Sequence, residues 1–308
     1  MLLQEIVPGV AWLRTNIANV YFVGTRPHWV LVDAGTQGYA GKIRQAAEER
    51  FGAGARPAAM FLTHGHFDHA GSVRELSGHW DVPVYAHALE RPFLTGRSEY
   101  PPQDPTIGGC MGFVSRFFPT RTANLGDRLR ELPPGGVVPG LENWTWYHTP
   151  GHTAGHVSFF HEGQSVLISG DAVITVDTDS CRALLRQEQR ISRPPAYFTY
   201  DWGLARQSVE LLARLRPAAI CAGHGVPMSG AGVAGELREL ADYFPAPRRG
   251  RYAHVPARTD ESGILYVPPP AADRLPAIAA GVGAAAFLGS ALVVSRRRSR
   301  KNDRALAA

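Results

Sequence analysis

Cysteine is scarce in this chain, with three residues in 308, at positions 110, 181 and 221. An odd, scattered set excludes a disulfide framework as the organising device, and the expectation is three free thiols. No CxxC pair occurs, so no zinc knuckle is expected either. The N-terminus lacks a basic region, a long apolar core and a small-residue cleavage site, so no secretory signal is read there. Charge of one sign is also missing from most of the chain. The net +5 comes from residues 295–308, with six basic and one acidic side chain, which leaves 26 of each sign in residues 1–294. A neutral body carries no general polyanion-binding face, and no nucleic acid partner is expected.

What is present is histidine in one dense block. THGHFDHAG, residues 63–71, sets His64, His66, Asp68 and His69 within six positions, directly after the apolar run PAAMFL. The run reads as a buried strand ending at Thr63. Side chains alternate faces in a strand, so His64 and His66 point the same way, and the turn at Phe67 swings Asp68 and His69 toward a second point nearby. That spacing suits two adjacent cations better than one.

With 44% hydrophobic and 19% charged residues, a substantial core can form, and one large α/β domain is the economical reading of residues 1–245. GVAWL, NVYFVG and HWVLVDAG read as opening strands, with Asp33 at a strand end beside Gly35. Residues 41–52 have helical composition, SVRELSG is a short helix, and residues 204–216 place apolar side chains at helical spacing. His87, at the end of VPVYAH, has no second ligand nearby and reads as structural. Two irregular stretches, 91–120 and 172–200, interrupt the pattern. Phe113, Phe117, Phe118 and Tyr100 in the first, and Tyr197, Tyr200 and Arg186 in the second, are candidate substrate contacts.

Further polar blocks close strands later on: TPGHTAGH at 149–156, SGDA at 169–172 and AGHG at 222–225. With HGHFDH, they occur in an order that resembles the metallo-β-lactamase superfamily over roughly the first 245 residues. The resemblance implies a four-layer αββα sandwich. It also implies that His64, His66 and His152 hold one divalent cation, and that Asp68, His69 and His224 hold a second. Asp171 would bridge both, which its two oxygens allow. Asp33 would orient the ligands from behind, while His156 reads as a supporting or structural residue. Zinc fits such donors, as do iron and manganese.

The implied reaction is hydrolysis. Water bound to zinc ionises near pH 7, and such a hydroxide can attack a carbonyl or phosphoryl centre, with Asp68 orienting it or moving its proton. Flavodiiron relatives carry an acid where this chain has His66, and many β-lactam-cleaving relatives carry Cys where it has Asp171. The branch that remains resembles glyoxalase II and the lactonases, acting on a small-molecule ester, thioester or lactone. The alternatives are a mononuclear-iron enzyme resembling persulfide dioxygenases and a non-catalytic metal-binding module.

After Phe244 the composition shifts. Residues 246–275, rich in proline and charge, read as an extended linker. Residues 276–294 carry no charge over nineteen positions, about 28 Å as a helix, and are expected to form a single membrane-spanning anchor. Gly281, Ala285 and Gly289 would form a small-residue face for helix-mediated self-association. The basic tail 295–308 follows, and the catalytic domain is expected to face the cytoplasm.

Overall fold

A computed structural model describes residues 3–273. Seven strands form the first sheet: β1 (Gln4–Val7), β2 (Val10–Arg14), β3 (Asn19–Thr25), β4 (His28–Val32), β5 (Met60–Phe61), β6 (Val84–Ala86) and β7 (Leu129–Glu131), adjacent in that order. The second sheet holds β8 (Trp144–His148), β9 (Val157–His161), β10 (Val166–Gly170), β11 (Ala219–Ala222) and β12 (Met228–Ser229), again adjacent in chain order. The helices are α1 (Ala40–Phe51), α2 (Phe67–Ala70), α3 (Val73–Trp80), α4 (Arg91–Leu94), α5 (Cys110–Val114), α6 (Cys181–Arg186), α7 (Trp202–Arg214) and α8 (Val233–Asp242).

Period-two alternation sorts these strands into layers. On one face of the first sheet Val20, Phe22, Trp29 and Leu31 pack against Ile43, Ala47 and Phe51 of α1 and Leu76 and Trp80 of α3. Trp29 stacks on Phe51 with ring centroids 4.4 Å apart, worth about 0.5–1.5 kcal/mol beyond its buried area. The intervening residues Tyr21, Val23, Val30 and Val32 face the other way and meet Phe159, Val166, Ile168 and Cys221 of the second sheet. That sheet's outer residues, Phe160, Leu167, Ile220 and Ala222, lie under Val209 and Leu212 of α7 and Leu237 of α8. Helices, two sheets and helices again form the expected αββα sandwich.

The parallel pairs position the site. α1 carries the chain from β4 to parallel β5, and α7 completes the crossover from β10 to parallel β11. Asp33, Thr63, Asp171 and His224 therefore follow the carboxyl ends of β4, β5, β10 and β11, where open α/β sheets place their ligands. Two backbone bonds stitch the sheets together there, from Val157 N–H to Thr63 O (2.9 Å) and from Asn19 N–H to Gly223 O (2.8 Å).

Three expectations change. Cys110 and Cys181 are joined in a disulfide across 71 positions, and only Cys221, buried between the sheets, is a free thiol. The membrane helix expected over 276–294 lies outside the described residues, and among the described ones no helix is long and apolar enough to cross a membrane. Seven alanines and three glycines leave that stretch with little apolar side-chain surface. The fold is corrected to the sandwich without a transmembrane helix, and the single-pass anchor, its membrane localisation and the helix-mediated association are withdrawn. Finally, the compact unit runs to Pro270. In the segment read as a linker, Tyr252 is buried and donates to Pro102 O (2.5 Å), Ala257 N–H donates to Tyr200 O (3.1 Å), and Arg258–Asp260 pairs with Gly263–Tyr266 as the hairpin β13–β14. Proline and charge therefore do not mark free chain here, because these residues dock on the irregular stretches.

Candidate metal centre

All seven expected ligands converge. Three overlapping groups lie close enough to share ions: His64, His66 and His152; His64, His69 and Asp171; and Asp68, His69 and His224. All seven side chains are buried. His64 and His66 leave β5 on either side of Gly65, and Asp68 and His69 sit on the short α2. His152 lies in the turn between β8 and β9, Asp171 follows β10, and His224 follows β11. Asn19 holds the last of these loops, its Nδ2 donating to Ala222 O (2.8 Å) and Gly225 O (2.6 Å) on either side of His224.

Hydrogen-bond partners behind the rings set the tautomers. His64 Nδ1 donates to Thr63 Oγ1 (3.1 Å), which donates to Asp33 Oδ2 (2.9 Å). His69 Nδ1 donates to the same Asp33 oxygen at 2.9 Å, while Asp33 Oδ1 accepts Thr63 N–H at 2.8 Å. His66 Nε2 donates to Tyr200 Oη (3.2 Å), His152 Nδ1 to Thr199 Oγ1 (3.4 Å) and His224 Nδ1 to Ile17 O (2.8 Å). Every outer nitrogen has an acceptor, so the inner ones, His66 Nδ1 and Nε2 of the other four, turn lone pairs toward the cluster.

That arrangement fits cations. His66 Nδ1 and His152 Nε2 are 3.0 Å apart, close enough to share one ion. His64 Nε2, His69 Nε2 and Asp171 Oδ1 are buried polar atoms without a hydrogen-bond partner. Asp171 spans both ligand sets, with Oδ1 3.5 Å from His69 Nε2 and Oδ2 3.4 Å from His152 Nε2 and 3.0 Å from His224 Nε2. Asp68 Oδ2 is 3.6 Å from His224 Nε2.

Without metal, protons take the cations' place. Burial alone would raise the Asp171 carboxyl, but His224, His69 and His152 hold it well below the usual carboxylate range. Burial lowers His69, yet Asp171, Asp68 and Asp33 carry it up to about 10, and His224 is raised in the same way by Asp171 and Asp68. Burial pulls down His64, His66, His156 and His152, the last to about 3. These four groups withdraw stability as pH falls below 6.5, because the unfolded chain then binds protons that the folded chain refuses. His69 and His224 contribute stability below 6.5 and lose it as pH rises, His69 toward about 10. The metal-free chain is therefore expected to melt highest near pH 6.5, whereas the metal-loaded chain lacks the alkaline decline. Melting profiles of both forms check this, and a metal-free midpoint climbing steadily from pH 6.5 to about 9 contradicts it.

His156 stands behind the cluster: its Nε2 accepts Asp171 N–H (2.9 Å) and its Nδ1 donates to Thr149 Oγ1 (2.8 Å). His87 stacks on His148 with centroids 4.2 Å apart, outside every ligand group, and burial pulls it to about 4. Of the expected substrate contacts, Tyr197 is buried, and burial with Asp68 and Asp171 nearby raises its hydroxyl. Tyr200 has its hydroxyl on His66, which makes it a support for that ring. Phe113 is 52% exposed under the Arg116 guanidinium, Phe117 is more exposed still, and Arg186 ends α6 on the surface. The rings that cover the cluster are Phe198, 4.5 Å from His66, with Phe118 and Phe67 packed beyond it. A cavity of about 350 Å³ lies beside Tyr100 and Tyr200, both of which contact His66, and is lined further by Gly151, Thr153, Phe93, Leu204 and Leu265.

Sequence reasoning missed Phe198 and Glu90. Glu90 is fully buried and accepts from Gly65 N–H (2.9 Å), Tyr100 Oη, Thr153 Oγ1 (2.7 Å) and Gly155 N–H (3.0 Å). Burial raises its carboxyl and the four donors lower it, with burial the larger effect. A single acid in HALERPFL carries no spacing signal that could have marked it.

Comparison with known proteins identifies the family. Residues 13–224 match the model of the metallo-beta-lactamase superfamily. The chain is 45% identical over 242 residues to the probable metallo-hydrolase YflN of Bacillus subtilis (strain 168), covering 77% of this chain and 92% of that protein. It is similar to the solved structure of TTHA1623 in a di-iron-bound form (TM-score 0.51, 26% identity, 76% of this chain and 98% of that one). The BLEG-1 B3 metallo-beta-lactamase is similar too (TM-score 0.50, 26% identity, 74% and 93%). With its ligand loops at the strand ends of an αββα sandwich, this chain belongs to the metallo-beta-lactamase superfamily.

Proposed function

We propose that the chain is a two-metal hydrolase that cleaves an ester, thioester or lactone. The observation that carries this reading is the set of five buried imidazoles gathered with Asp68 and Asp171 in three overlapping groups, each ring with a hydrogen-bond partner behind it. The name of the Bacillus subtilis relative supports the same reading. His64, His66 and His152 would hold one cation, Asp68, His69 and His224 the other, and Asp171 both. When bound, such a pair supplies Lewis acidity that brings the ionisation of water near pH 7 and polarises a carbonyl oxygen.

The chain's own groups do the rest. Asp68, buried with its Oδ2 3.6 Å from His224 Nε2, would orient the attacking water and carry its proton to the leaving oxygen or sulfur. One water is consumed and the acyl–oxygen or acyl–sulfur bond breaks, giving an acid and an alcohol or thiol, or a single hydroxy acid from a lactone. Phe67, Phe118 and Phe198 keep bulk water off the reacting centre. The cavity behind Tyr100 and Tyr200 offers an apolar place for the substrate's organic part.

Metal quantification on the purified full chain, followed by an ester, thioester, lactone and phosphodiester panel, tests the proposal. Two metals per chain and turnover of a carbonyl substrate are expected. The donor set suits zinc, iron or manganese, and the di-iron relative makes iron a specific comparison. Iron alone with sulfur-dependent oxygen uptake would replace the hydrolase with a dioxygenase, and metal-loaded protein inert on every substrate would leave a binding module.

A further inference from the structure

We propose that Glu90 is a positioning residue that locks the two loops of the three-histidine site together and so sets that site's metal affinity. The inference rests on the two-metal reading above. His64 and His66 come from one loop and His152 from another, far apart in sequence, and a shared ion requires their nitrogens to be held at a fixed separation. Glu90 reaches both loops. Oε2 accepts the N–H of Gly65, the residue between the two histidines, and Oε1 accepts Thr153 Oγ1, next to His152, and Gly155 N–H.

All four donors are neutral, so the buried charge has no counter-ion among them, and a carboxylate is the one side chain that can accept twice at each oxygen. The backbone is cut to fit it. A Cβ on Gly65 would overlap Tyr100 Oη and come within 2.9 Å of Leu94 Cδ2, and one on Gly155 would lie 2.7 Å from Glu90 Cγ. Tyr100 extends the connection: its hydroxyl donates to Glu90 while its ring lies 4.6 Å from that of His66. The same carboxylate therefore fixes the loop before His66, the loop after His152 and the aromatic wall beside His66.

Glu90→Gln tests this, because one oxygen becomes an NH2 group facing two donors, one of them a backbone amide that cannot turn away. The metal-free full chain is titrated with zinc against a chromophoric chelator, with circular dichroism and melting as checks on folding. In wild type two ions bind. In the variant the three-histidine site loses about 10- to 100-fold in affinity, while the site of Asp68, His69 and His224 stays near its wild-type value. Thr153→Ala removes one donor without touching the carboxylate, and it shifts the same step by a smaller factor. That arm decides the matter if Glu90→Gln does not fold. Two unchanged binding steps in the folded variants, or equal weakening of both, overturn the positioning role. A wild-type chain that binds fewer than two ions overturns the two-metal reading itself and takes this inference with it, so the wild-type titration tells the two failures apart.

Discussion

Asp171→Ala is expected to empty the metal centre and to lower kcat/KM by about 10²- to 10⁴-fold, from the roughly 3–5 kcal/mol that removing one partner of a buried charge cluster costs. Among the described residues, Asp171 is the one side chain whose two oxygens reach both ligand sets. Without it, His69 and His224 keep only Asp68 and, for His69, Asp33 as negative neighbours, so two cations would meet with less charge to neutralise them. The backbone has no reason to collapse, since Asp171 N–H, not its carboxylate, is bonded to His156. Metal emission, steady-state kinetics and circular dichroism together check the prediction. A folded variant that retains two metals and near-wild-type turnover would remove Asp171 from the centre.

Gly223→Ala is expected to weaken metal binding by about 5- to 150-fold through a single methyl group. A Cβ there would overlap Asp171 Oδ1 and come within 2.7 Å of His69 Cε1 and 3.2 Å of Gly170 C, inside the volume the ligands enclose. Relaxation is blocked on both sides. Gly223 N–H is bonded to Gly170 O (2.8 Å), and its carbonyl accepts Asn19 N–H (2.8 Å). Overpacking a rigid site costs about 1–3 kcal/mol, and here the displaced groups are ligands, so metal is lost before the sandwich unfolds. The measurement is metal content alongside a melting midpoint taken with chelator in both proteins. A variant that binds metal as wild type does would mean that the loop before His224 can move.

What was legible in the sequence is short in range. HGHFDH, PGH, SGD and AGH each close a strand, so alternation and a turn are enough to predict which way His64, His66, Asp171 and His224 face. The αββα layering was legible only through the family resemblance, because alternation in NVYFV says that Tyr21 and Phe22 face opposite ways but not which core receives each. Glu90, Phe198 and the Cys110–Cys181 bond depend on pairings distant along the chain, for which no local spacing exists. Aromatic composition in an irregular stretch does not say whether a ring turns inward: Phe113 is half exposed, while Phe118, five positions on, packs on Phe198. Asp33 could be placed at a strand end, but its bonds to both Thr63 and His69 emerge only when β4 and β5 pair in register.

The disulfide couples the two stretches that roof the centre. Cys110 opens α5 in the segment that supplies Phe118, and Cys181 opens α6 in the segment that supplies Phe198. Backbone bonds beside it, Cys110 N–H to Asp179 O (2.9 Å) and Met111 N–H to Thr178 O (3.2 Å), run along the same seam. The roof is thus cross-braced by one covalent bond and two main-chain hydrogen bonds, so neither strip of chain can be displaced from the other without breaking them.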